Sequence, residues 1–128
     1  MSYYFLKILD VSFEEAIEKV TNELAKEGFG VLTEIDVKKT LKIKLDVDFR
    51  KYIILGACNP PFAHRALNSE DKIGLMLPCN VIVQAIGERK TEVAAIDPIA
   101  SMQAIDNPEL EKVAKEVQEK LKKVIESL

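Results

Sequence analysis

No apolar run in this chain reaches the roughly 18 residues that a helix needs to cross a bilayer, which excludes a helical membrane span. The opening residues, Met-Ser-Tyr-Tyr-Phe-Leu-Lys-Ile, lack a basic region followed by an apolar stretch and a cleavage site, so no signal peptide is expected. Neither sign of charge dominates: 18 Lys and Arg stand against 21 Asp and Glu, and a net charge of −3 gives a nucleic-acid role no support. Internal repeats, low-complexity tracts and linkers are absent. Cysteine is scarce, at two residues, and histidine scarcer, at one. No C-x-x-C pair occurs, which removes the usual zinc and thioredoxin-type signatures. Two cysteines without an export signal are expected to remain reduced thiols in the cytoplasm. With 128 residues the chain is expected to be one soluble domain, residues 1–128. That length buries roughly two-thirds of the unfolded surface around one core.

What is present is concentrated. The chain reads Gly-Ala-Cys58-Asn59-Pro60-Pro61-Phe-Ala-His64-Arg65 at one point and Leu-Pro78-Cys79-Asn80-Val-Ile-Val at another. These two stretches hold both cysteines and the single histidine. All the soft, titratable chemistry thus lies at two points separated by 20 residues, which suggests one site built from both.

The surrounding pattern says what carries them. Residues 3–9 read as a short apolar strand. Ser12-Phe-Glu-Glu15 is a capping box, in which the serine accepts an early helical N–H while the glutamate reaches back. Ile17, Val20 and Leu24 follow at helical spacing, and Gly28 is placed to end the helix in a left-handed turn. Residues 29–38, with an exception at Leu32, and residues 41–48 alternate apolar with polar, which predicts two strands. Joined as a hairpin, they set Ile35 opposite Ile43 and Asp36 opposite Lys42, with Lys38-Lys39-Thr40 as the loop. Such a hairpin implies an antiparallel sheet with one polar face.

Tyr52 to Cys58 is a nearly continuous apolar strand of the kind found centrally in a sheet. Asn59-Pro60 reads as a helix start, with a helix to about residue 67. Residues 78–84 and 91–96 read as two more strands, joined around Gly87-Glu-Arg-Lys90. Residues 98–105 read as irregular or a short helical turn. Asn107-Pro108 opens a last helix whose apolar stripe runs through Leu110, Val113, Ala114, Val117, Leu121, Val124, Ile125 and Leu128. The expected order is β-α-β-β-β-α-β-β-α: an α+β, two-layer domain, its mostly antiparallel sheet covered on one face by helices.

Several strings resemble one family. Ile54-Leu-Gly-Ala-Cys58-Asn-Pro, Ala63-His64-Arg-Ala-Leu67, Leu77-Pro-Cys79-Asn-Val81 and Ile96-Asp-Pro98 are similar to those of the small bacterial and archaeal proteins of domain-of-unknown-function family 302. The resemblance spans almost the whole chain, least distinctively after Pro98. It implies a compact two-layer α+β fold and a homodimer. It implies no reaction.

The chemistry is therefore weighed from the residues. Cys58 ends a strand immediately before a helix start, where free N–H groups and the helix dipole stabilise a thiolate; taken alone, the favoured reading is a small buried thiol in the core. If the strands carrying Cys58 and Cys79 are antiparallel neighbours, the sulfurs approach. His64, one turn into the intervening helix, then leans back toward them. Two thiols and an imidazole suit a soft metal such as zinc or copper. Asn59 flanks the site, and serves as helix cap in the structural reading. Asp36 and Asp97 are carboxylates at strand ends, and such a pair at one end of a sheet holds a cation or works as acid and base. For Asp36 the cross-strand pair with Lys42 is the favoured reading. The Lys- and Glu-rich last helix presents a solvated face, not a nucleic-acid patch.

Two functions follow. The first is a small cytoplasmic binding module holding a small-molecule ligand or soft metal near Cys58, His64 and Cys79. The second is a thiol-dependent enzyme or redox protein using the same residues. A duller reading leaves both cysteines to the fold alone.

Overall fold

The computed structural model describes residues 2–128. Five strands form a single sheet: β1 (Tyr4–Leu9), β2 (Gly30–Asp36), β3 (Tyr52–Cys58), β4 (Cys79–Gly87) and β5 (Lys90–Ile96). Their spatial order is β1-β5-β4-β3-β2, and every neighbouring pair is antiparallel. The helices are α1 (Phe13–Lys26), α2 (Val37–Leu45), α3 (Pro60–Ser69), the short α4 (Pro98–Ser101) and α5 (Pro108–Glu126). A 3₁₀ turn, Asp71–Met76, leads into β4. This is the expected α+β class.

Local chemistry explains most boundaries. The Ser12 hydroxyl accepts from the Glu15 amide at 3.2 Å, which caps α1, and donates to Glu15 Oε1 at 3.3 Å, so the glutamate reaches back to the serine side chain and not to its amide. Gly28 ends α1 at φ +87, a left-handed conformation that costs glycine little. Asn107 accepts from the amides of Glu109 and Leu110 and so starts α5. Helices α1 and α5 lie on one face of the sheet, with α3 packed against α5. The apolar stripe of α5 is buried from Leu110 to Ile125. Leu24, Leu55, Ile73 and Leu121 are sealed completely in the same core, each worth about 1.5–3 kcal/mol of apolar burial.

Two expectations are corrected. Residues 41–48 are not a strand: Val37–Leu45 is helix α2, and Ile35 pairs with Ile54 of β3 instead of Ile43. The reason is local. Asp36 caps the helix by accepting from the Lys39 amide at 3.0 Å, and Asp46 closes it in a left-handed conformation at φ 53. Lysine and leucine, which dominate the segment, are strong helix formers, and lysine is depleted in strands. In the helix, Lys42 pairs with Asp46 at 2.9 Å one turn on, not with Asp36.

The second correction concerns the face of the sheet away from α1 and α5. It is not polar. Alternation points Tyr4, Leu6, Ile8, Ile35, Tyr52, Ile54, Ile82 and Ile96 to that side. Leu6, Ile8 and Ile35 are about half exposed there.

Candidate functional site

The antiparallel order fixes which chain segments meet. β3 and β5 end at the edge of the sheet where β1, β2 and β4 begin. Cys58 and Cys79 therefore come together at this end: Ala57 pairs with Cys79, and Cys58 lies one step beyond. Asp97 follows β5 at this end, whereas Asp36 closes β2 at the other. The two carboxylates form no pair. Asp36 is spent on capping α2, and Asp97 accepts from the Ile99 amide at 3.0 Å and from Gln118 Nε2 at 3.1 Å. Both have structural work.

A cavity of about 370 Å³ opens at the cysteine end, within the size range of small-molecule sites. Strand ends β2, β3 and β4 form one wall. Helix α3, the 3₁₀ turn, and the segment from α4 into α5 form the others. Phe29, Phe62, Met102 and Leu110 are among its larger apolar side chains. Its polar side chains are Thr33, Asn59 and the two thiols, and no charged residue lines it.

The cavity wraps the end of the β3–β4 pair. Because Ala57 and Cys79 are paired, they share the helix-covered face, and alternation sends Cys58 to the other. Thr33 and Pro78, which follows a cis peptide bond, meet on that other side over Gly56. A Cβ at Gly56 would collide with Thr33 Oγ1 and stand 2.7 Å from Pro78 Cγ, so only glycine lets these side chains close there.

The Cys79 thiol is not activated. Burial pushes the Cys79 thiol up to about 11, and the neighbouring Cys58 adds to the shift. Cys79 is accordingly a neutral thiol at physiological pH, poorly suited to nucleophilic attack. Opposite side-chain directions also disfavour a disulfide across this register.

His64 does not join the cysteines. It is exposed on α3, its Nε2 lies 3.3 Å from Asn68 Nδ2, and it does not line the cavity. Among the described residues no three His, Cys, Asp or Glu side chains gather closely enough to hold a metal ion. The zinc or copper set of Cys58, Cys79 and His64 thus does not assemble. Asn59 occupies the cap position of α3 without making a side-chain cap; instead it is buried and donates to the Glu27 carbonyl at 3.0 Å. The apolar lining from Phe29, Phe62 and Met102 gave no signal in the sequence, because such residues read as ordinary core. No helix among the described residues is long and apolar enough to cross a membrane.

Domain of unknown function DUF302 matches residues 6–128, and the chain belongs to that family. Among solved structures it is similar to the crystal structure of the uncharacterized conserved protein DUF302 from Bacillus stearothermophilus. The two are 28% identical over 98% of each chain, with a TM-score of 0.89. No curated protein matches the chain. The family is one of unknown function, and so is its Bacillus relative.

Proposed function

We propose that this member of the DUF302 family is a binding module that takes a small, uncharged, largely apolar molecule into the cavity beside Cys58 and Cys79. The single observation that carries the reading is the cavity itself: about 370 Å³, apolar, and without a charged residue in its lining. A charged ligand would lose its hydration there with no counter-ion to replace it, which costs several kcal/mol. An apolar ligand gains about 25 cal/mol for each Å² it removes from water. Thr33, Asn59 and the thiols supply the few polar contacts that orient such a molecule.

Catalysis or redox chemistry through the same thiols is the competing reading, and the raised Cys79 thiol speaks against it. The binding reading places the domain in the cytoplasm, a compartment that keeps both free thiols reduced.

The test is a titration with the neutral fluorophore N-phenyl-1-naphthylamine. Saturable binding to the native protein is expected, weakened at least about tenfold in Ala63→Phe, which fills the cavity from α3. Thermal unfolding of the variant confirms that it is folded. Equal binding by native protein and Ala63→Phe, or none by the native protein, overturns the reading.

A further inference from the structure

We infer that the ligand of the cavity carries a hydroxyl group, as an uncharged alcohol or phenol does, held between Asn59 Oδ1 as acceptor and the Phe62 amide as donor, a conclusion that rests on the binding reading above. Two helices of this protein open on Asn-Pro, and their first turns differ. At α5, Asn107 Oδ1 accepts from the amides of Glu109 and Leu110, so the polar groups of that helix end satisfy one another. At α3, Asn59-Pro60 repeats the dipeptide, but the Asn59 side chain makes no such cap. Its Nδ2 is drawn off to the Glu27 carbonyl at 3.0 Å. A carbonyl only accepts, so that contact fixes which end of the carboxamide is nitrogen and leaves its oxygen without a donor.

Both halves of an ordinary cap are consequently open at one point of the cavity wall. Pro60 and Pro61 occupy the first two positions of α3 and carry no N–H. The first amide of the helix is therefore that of Phe62, and no acceptor among the described residues takes it. The next amide, of Ala63, is already bonded to the Asn59 carbonyl at 2.9 Å. Asn59 is only 8% exposed, yet every sealed side-chain oxygen and nitrogen among the described residues has a partner. Oδ1 has none, so it is not sealed, and the open space that Asn59 borders is the cavity. Phe62 lines the same wall. In a capped helix the side-chain oxygen at this position bonds the third amide directly, so the two groups are near enough for one atom to bridge. A hydroxyl oxygen is that atom, because it accepts from Phe62 while its hydrogen goes to Asn59. A carbonyl or ether satisfies the amide alone, and a hydrocarbon satisfies neither. In a lining without charge, a polar group that the ligand leaves unpaired weighs heavily against that ligand, and this is the source of selection.

Equilibrium dialysis of the native protein against three neutral ligands built on one ring system provides the test. 2-Naphthol donates and accepts, 2-methoxynaphthalene only accepts, and 2-methylnaphthalene does neither. In a purely apolar cavity the methyl compound would bind most tightly, because a hydroxyl gives up its bonds to water on entering. The expected order is the reverse, with 2-naphthol at least about tenfold tighter than either of the others. Asn59→Ser is expected to abolish that preference while retaining 2-methylnaphthalene, since a serine hydroxyl caps the Phe62 amide itself. Thermal unfolding checks that the variant is folded, and the order of the three ligands on the native protein stands without it. Equal binding of the three by the native protein, or tightest binding of the methyl compound, overturns the hydroxyl inference and leaves the binding reading in place. Binding of none of them overturns both. A preference for 2-naphthol that persists undiminished in folded Asn59→Ser overturns the role of Asn59.

Discussion

Asn59 donates from Nδ2 to the main-chain carbonyl of Glu27 at 3.0 Å, which ties the end of α1 to the start of α3 across 32 residues of sequence. Gly28 lies directly beneath: a Cβ there would stand 3.1 Å from the same Nδ2. The floor of the cavity is thereby pinned to the helix layer, because Asn59 both lines the one and bonds the other.

Replacing Asn59 by alanine leaves the Glu27 carbonyl without its donor in a partly buried place. The expected loss is about 1–3 kcal/mol of unfolding free energy in urea. Gly28→Ala is expected to cost at least about 1 kcal/mol, since it combines a φ of +87 with contact on Asn59. Because both act on one contact, the costs in the double variant should add to less than their sum.

Gly56→Ala is expected to destabilise by about 1–3 kcal/mol, since the new methyl overlaps Thr33 and Pro78. Thr33→Ala in the same chain removes one of the two obstacles. Part of the lost melting temperature should return, and a purely additive pair of costs would contradict the packing described.

The Cys79 thiol gives a signed dependence on pH. Its value rises from an ordinary 9.0 to about 11 on folding, so between those limits the folded state holds a proton that the unfolded chain has released. Stability from this group is fully present below pH 9 and is lost as pH climbs toward 11, by up to about 3 kcal/mol. Denaturant curves at pH 8 and pH 11 should show this alkaline loss in the native protein and a smaller one in Cys79→Ala. An identical loss in both would refute the assignment.

Asn107 joins two helix ends, accepting from the first amides of α5 while donating to the Ser69 carbonyl at 2.8 Å. Asn107→Ala removes both, for about 1–3 kcal/mol. Asn107→Asp keeps the cap and loses only the donor. It should fall between the two in thermal unfolding, which separates capping from the bond to α3.

The parts legible in the chain were those decided within a few residues. Ser12 and Glu15, Gly28, and Asn107 with Pro108 mark helix ends through contacts one turn long, and the α5 stripe follows from helical spacing alone. Residues 41–48 alternate with period two like a strand, against their own helical propensity. Lysine fills every polar position from 38 to 44 apart from Thr40, and Asp36 supplies a cap that outweighs the pattern. Adjacency of the two cysteine segments was also legible, given antiparallel strands; the direction of each thiol needed the register.

The sequence by itself determined the α+β class, the ends of α1, the start of α5 and its buried stripe. Periodicity and capping are short-range, so neighbouring residues suffice to encode them. Only the tertiary structure decided the rest. It separated Asp36 from Asp97 through strand direction, turned His64 outward, and enclosed a cavity between residues as distant as Phe29 and Val117. It also lined up Gln84 of β4 and Glu92 of β5 with Arg50, which lies just before β3. Cavities and cross-strand rows are made by segments that meet only after the chain has chosen its strand order, and no local pattern carries that choice.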